Sequence, residues 1–141
     1  MDNIIFDILM NEVRSLNLET GSYALFGSAP IGVRSMKRVC SDIDIIVTKQ
    51  VWDEYRLMDE WALCVFKKKD GEIECLKKKH VELYYTWGPG AWDIEWLINS
   101  ADTINGLPFV KLKHVLEWKQ RRKESKDIRD IYFISNYLAI K

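Results

Sequence analysis

The chemistry of this chain is concentrated in two short stretches, Phe26-Gly27-Ser28 and Asp42-Ile43-Asp44-Ile45-Ile46-Val47. If the second is a strand, Asp42 and Asp44 share one face while Ile43, Ile45 and Val47 point to a core on the other. Two carboxylates at neighbouring same-face positions repel, which costs free energy unless something positive sits between them. A hard divalent cation meets that need. Mg²⁺ is held by one or two carboxylates with water and substrate phosphates, and two such ions stabilise the attacking and leaving oxygens of a phosphoryl displacement. Mn²⁺ would accept the same oxygen donors. Glycine at a strand end lets backbone approach a ligand, and a following helix start offers free N–H groups to an anion. Gly27 and Ser28 therefore read as a phosphate-binding turn, with Asp42 and Asp44 as metal ligands. Arg34, Lys37 and Arg38, on the connecting segment, are placed in sequence to neutralise a triphosphate, and Lys126 is a further candidate for phosphate contact.

Those residues need a scaffold, and the apolar pattern supplies one. Ile5, Ile8, Leu9, Glu12, Val13 and Leu16 recur at helical spacing, with Asp2 or Asn3 as a cap. Tyr23 to Phe26 reads as a short strand, Ala29 to Cys40 as a turn with a short helix, and Asp42 to Thr48 as the next strand. Helical spacing returns from Gln50 to Glu60. The apolar run Trp61 to Phe66 ends at Lys69-Asp70-Gly71, a hairpin signal, and two strands follow near Glu72 to Leu76 and His80 to Trp87. Gly88-Pro89-Gly90 breaks the chain, Trp92 to Asn99 reads as a helix with Asp93 near its start, and Gly106-Leu107-Pro108 reads as a second break. Two helices close the chain, one with Leu112, Val115, Leu116 and Lys119 on a face, the other with Ile128, Ile131, Tyr132, Ser135 and Leu138.

Composition narrows the classes. At 141 residues the chain suits one domain with a real core, and its 21 basic residues balance its 21 acidic ones. No whole-molecule field drives non-specific nucleic-acid binding, so anion affinity must be local. The basic runs Lys67 to Lys69, Lys77 to Lys79 and Lys119 to Lys126 read as solvated faces. Cys40, Cys64 and Cys75 are odd in number and lack paired spacing, which argues against a disulfide framework or a thiolate zinc site. His80 and His114 have no paired-ligand spacing either. No apolar segment approaches the roughly 18 residues of a membrane span, and a cytoplasmic protein is expected. Trp61, Trp96 and Trp118 read as core, whereas Trp87 and Trp92 flank the Gly-Pro-Gly break, where a ring could stack on a base.

The order apolar-Gly27-Ser28, thirteen residues, then Asp42-Ile43-Asp44-Ile45 resembles the signature of the polymerase-beta-type nucleotidyltransferase superfamily. The stretches Gly106 to Leu112, Trp118-Lys119 and Lys126-Asp127-Ile128-Arg129-Asp130-Ile131 resemble small prokaryotic members related to the abortive-infection toxin nucleotidyltransferases. The resemblance implies a magnesium-dependent enzyme that transfers a nucleoside monophosphate from an NTP to an acceptor, with loss of pyrophosphate. Gly27 and Ser28 match its phosphate turn and Asp42 and Asp44 its metal-binding, catalytic pair. A third carboxylate is implied on a later strand, acting as metal ligand or general base. Glu82, a lone acid in an apolar strand, is the first choice, ahead of Glu74 and Asp93. Many members carry Ala-Arg-Gly after the Gly-Ser turn; here those positions are Pro30-Ile31-Gly32.

The implied fold is α+β: one minimal nucleotidyltransferase domain, a mixed sheet of about five strands over about residues 20–88, flanked by helices, with two C-terminal helices over about 111–140. The acceptor stays open among a small molecule, an RNA end and a protein side chain, as does the partner, a homodimer copy or a toxin–antitoxin mate. Two other readings use the same residues: a non-catalytic, antitoxin-like member that binds nucleotide or a partner, and a metal-dependent nuclease.

Overall fold

The computed structural model describes residues 4–35, 37–68 and 71–140. The proposed helix cap at Asp2 or Asn3, and Lys69-Asp70 of the expected hairpin, lie outside the described residues. The architecture is α+β: one mixed sheet with helices on both faces. Among the described residues the sheet has seven strands, in the order β3-β4-β5-β2-β1-β7-β6, rather than about five. They are β1 (Tyr23–Leu25), β2 (Ile43–Val47), β3 (Ala62–Lys68), β4 (Gly71–Lys78), β5 (Val81–Tyr84), β6 (Asp102–Ile104) and β7 (Leu107–Phe109). β2 is central, antiparallel to β1 and parallel to β5, and β7 runs parallel to β1.

The two extra strands flank Gly106, where the sequence predicts a break. Asn105 and Gly106 both have positive φ, 52° and 81°, which is the backbone of a two-residue hairpin turn. That turn joins β6 to β7, with Ile104 opposite Leu107. Pro108 sits in β7 opposite Thr103.

The faces of β2 separate cleanly. Ile43, Ile45 and Val47 are fully buried against α1 (Ile4–Ser15) and α3 (Lys49–Tyr55), whose Phe6, Leu9, Met10, Val13 and Trp52 fill that layer. Thr48 caps α3, its hydroxyl accepting from the Val51 N–H at 3.4 Å. Asp44 and Ile46 point the other way. There Ile46 packs with Ala24, Phe26 and Ile31 against α4 (Ile94–Asn99), α5 (Leu112–Arg122) and α6 (Ile128–Ile140).

Two helix faces differ from expectation. In α1 the buried stripe is Phe6, Leu9, Met10 and Val13, while Ile5 and Ile8 are exposed. The helix is apolar nearly all round at its start, so spacing alone does not choose between stripes. In α6, Ile128, Tyr132 and Leu138 are exposed and the buried stripe includes Asp130 and Ile134.

The acids of that stripe are neutralised by α5. Lys119 is 2% exposed, and its Nζ donates to Asp127 Oδ1 at 2.9 Å and lies 3.1 Å from Asp130 Oδ2. Arg122 also pairs with Asp127, and Arg38 clasps Asp130 through Nε at 2.9 Å and Nη2 at 3.1 Å. Burial alone would raise the Asp127 carboxyl, but the hydrogen bonds and charges of Arg122 and Lys119 hold it below the usual range. At Lys119 and Arg122, therefore, the last basic run is a structural ion network and not a solvated face. Among the described residues no helix is long and apolar enough to cross a membrane.

Candidate functional site

The strand register builds the site. β2 and β5 are parallel with Asp44 directly opposite Glu82, so the two carboxylates leave the same face of the sheet side by side. Asp42 immediately precedes β2 and shares the parity of Asp44. The other two candidates for a third acid are elsewhere. Glu74 lies on the opposite face of β4, opposite Val65 and accepting from the Tyr85 hydroxyl at 3.4 Å. Asp93 caps α4, accepting from the Trp96 N–H at 3.1 Å.

Gly27 follows β1 and carries the chain across Asp44. Its φ is +63°, and a Cβ built there would stand 2.5 Å from Asp44 Oδ2. Both the left-handed backbone and the close approach need glycine. Gly27→Ala is therefore expected to cost about 1–3 kcal/mol of stability and to displace the Asp44 carboxylate, read as a lower melting temperature together with weakened ligand binding. Ser28 stands at the N-cap of α2 (Ala29–Gly32), but its side chain makes no capping bond; its hydroxyl donates to Cys40 Sγ at 3.2 Å.

Asp44 is an uncomfortable carboxylate. Burial first, then the negative charges of Glu82 and Asp42, push it up to about 7, against the opposing pull of Arg122 and Lys119. Glu82 is better served: Tyr84 donates its hydroxyl to Oε1 at 2.6 Å, and Lys77 Nζ lies 3.8 Å from Oε2. Burial first, then the Glu82 charge, pushes the neighbouring Cys75 thiol up to about 12.

Beside Asp44 is an open cavity of about 220 Å³, walled by Tyr84, Trp87, Trp118, Arg122 and Lys68. Its back wall is a stack of aromatic rings. Phe26 lies parallel to Trp87 at 4.4 Å, and Trp118 sits 5.0 Å from Trp87. Trp118 donates its indole N–H to Gly88 O at 2.9 Å, whereas among the described residues the buried Trp87 Nε1 has no hydrogen-bond partner. Trp61 and Trp118 are buried as expected; Trp96, expected in the core, is half exposed.

The basic side chains singled out between the two motifs are placed differently. Arg34 donates to Pro30 O and Asp102, Arg38 is bound to Asp130, Lys37 is exposed, and Lys126 is exposed beside Glu124. The cations that act on Asp44 are Arg122 and Lys119. A sequence signal for them exists: Lys119 and Arg122 are one helical turn apart, as are Asp127 and Asp130, and such matched pairs at i, i+3 suit facing helices.

No family model and no curated protein matches this sequence.

Among the described residues, no three His, Cys, Asp or Glu side chains stand close enough to form a ready-made metal site. The acids whose charges act on Asp44, namely Glu82 and Asp42, nevertheless offer only hard carboxylate oxygens, and burial first, then their repulsion, makes a bare negative charge at Asp44 costly. That set fits a cation held by two carboxylates and completed by water and substrate phosphate, which is the usual condition of Mg²⁺. It does not fit a closed all-protein cage.

Proposed function

We propose that the chain has the nucleotidyltransferase fold and transfers a nucleoside monophosphate from an NTP to an acceptor hydroxyl with the help of Mg²⁺. The observation that carries this reading is the register that sets Asp44 against Glu82 beneath the Gly27 turn, beside a cavity lined by aromatic rings and Arg122. When bound, Mg²⁺ would neutralise the developing charge on the phosphates, held by Asp42 and Asp44. Gly27 lets the turn approach that position without a side chain. Arg122, oriented by buried Asp127, presents a fixed cation to the same cavity, and the rings of Trp87 and Tyr84 offer an apolar wall for a base. Glu82 is the carboxylate placed to receive the proton of the acceptor hydroxyl, with Tyr84 holding one of its oxygens. Catalysis would be mostly positioning and charge neutralisation.

One observation favours binding without turnover. Ile31, at a position where many members of the resembled family carry arginine, is 1% exposed and part of the core, and Glu82 is already engaged by Tyr84 and Lys77. Pyrophosphate release with each of four NTPs, across RNA ends, aminoglycoside-type hydroxyls and whole-lysate proteins as acceptors, separates the two. Release that disappears in Asp42→Asn supports transfer. Nucleotide binding with no release from any acceptor supports the binder.

A further inference from the structure

β3 forms one edge of the sheet, so among the described residues a row of its backbone N–H and C=O groups has no strand partner. Edges of this kind are usually blunted by charge, proline or shortness. The opposite edge, β6, is three residues long and starts at Asp102, which binds Arg34 and Lys111. β3 is seven residues long, and its stretch Ala62-Leu63-Cys64-Val65-Phe66 has neither charge nor proline. Leu63, Val65 and Phe66 are 49%, 50% and 42% exposed. Leu63 lies opposite Leu76, which is fully buried, so the apolar layer runs outward to the edge and stops there uncovered.

We infer that β3 is a homodimer interface, at which a second copy of this chain pairs antiparallel across a two-fold axis at Cys64 and continues the sheet through both subunits. The sequence of the strand is self-complementary in that register. Asp59 and Glu60 precede it and Lys67 and Lys68 end it. With Cys64 opposite its own copy, Leu63 meets Val65 of the partner subunit on one face and Ala62 meets Phe66 of the partner subunit on the other. Glu60, in the turn that leads into β3 and outside its ladder, then comes to the end of the partner strand at Lys68 of the partner subunit, at both ends of the pair. The neighbouring face-preserving registers fail this match: centring on Leu63 sets Glu60 against Phe66 of the partner subunit, and centring on Val65 sets Leu63 against Lys67 of the partner subunit. Opposite charges directly across strands are favourable and mismatched pairs are not. The Glu60 side chain is 57% exposed and only loosely held, 3.7 Å from Lys78, so it is free to answer a second cation. A two-fold pairing of identical strands also closes the assembly at two copies.

Cys64 makes the axis testable, because Cys40 and Cys75 are buried while Cys64 is partly exposed. Light scattering on the whole chain is expected to give twice the 16.6 kDa subunit mass. A short bis-maleimide should trap that dimer covalently in the wild type and not in Cys64→Ser. Leu63→Arg/Val65→Arg should be monomeric with unchanged circular dichroism, since both side chains are exposed. Glu60→Lys and Lys68→Glu should each weaken the dimer about tenfold, and the double exchange should restore it. A monomer at about 100 µM overturns the inference. So does a dimer that survives Leu63→Arg/Val65→Arg or is not trapped through Cys64, and failure of the double exchange overturns the register.

Discussion

Asp127→Ala is expected to destabilise the protein by about 3–5 kcal/mol, a large part of the 5–15 kcal/mol typical of a domain. Asp127 is 1% exposed and is the common acceptor of Lys119 and Arg122. Its removal leaves a lysine that is 2% exposed with Asp130 as its remaining partner, and Asp130 is already clasped by Arg38. The loss arises from the abandoned charge and not from the value of the pair itself. The double replacement Lys119→Met/Asp127→Leu should therefore recover most of the stability that Asp127→Ala loses, because an apolar pair of similar size needs no counter-charge. Chemical denaturation of the three proteins checks this, and an Asp127→Ala protein as stable as wild type would show that the network is wet. The depressed Asp127 carboxyl contributes stability that is complete above its unfolded value near 4 and is lost as the pH falls through its lower folded value.

The second large effect has the opposite sign. An acid whose folded pKa lies above its unfolded value binds its proton more tightly when folded, so the Asp44 carboxyl costs nothing below about pH 4. Its cost grows as the pH rises from about 4 to about 7 and is complete above that. Asp44→Asn keeps the shape and removes the charge. It is expected to stabilise the ligand-free protein at pH 8.5 by about 3–4 kcal/mol and to leave it unchanged near pH 4, while abolishing metal-dependent binding. A protein that gains stability when a central polar residue is neutralised is holding that residue against its own folding interest, as binding sites do. Denaturant titrations of both proteins across pH 4–9 measure the difference directly. A loss of stability in Asp44→Asn at pH 8.5 would mean that the carboxylate serves the fold.

Much of the scaffold was legible because its signals are local. The alternation Asp42-Ile43-Asp44-Ile45 fixes which side chains share a face, and the structure buries Ile43, Ile45 and Val47 accordingly. The choice of Glu82 over Glu74 followed from an acid alone among apolar neighbours. The structure sets Glu82 beside Asp44 and turns Glu74 to the other face.

What was not legible depends on tertiary partners. Asn105-Gly106 was a hairpin signal of the strongest short-range type, hidden because the flanking strands have three residues each and Pro108 suggested a break. The faces of α1 and α6 were misread for opposite reasons. α1 offers more apolar residues than one sheet face can cover. α6 buries acids, which look solvated until Lys119, Arg122 and Arg38 are brought to them. The same gap hid which cations stand near Asp44. Arg34 and Arg38 are close to the Gly-Ser turn in sequence, but their guanidinium groups are committed to Asp102 and Asp130, and Arg122 arrives from more than eighty residues further on.

The most direct test of the central claim is the shift in melting temperature with each of the four NTPs, with and without Mg²⁺, on the wild type and on Asp42→Asn/Asp44→Asn. A ligand that binds only the folded state stabilises it by about 2.7 kcal/mol at a hundredfold excess over Kd. An upward shift is expected with at least one NTP, and it should need both Mg²⁺ and the two aspartates. No shift with any NTP, or a shift of equal size in the doubly substituted protein, would contradict it.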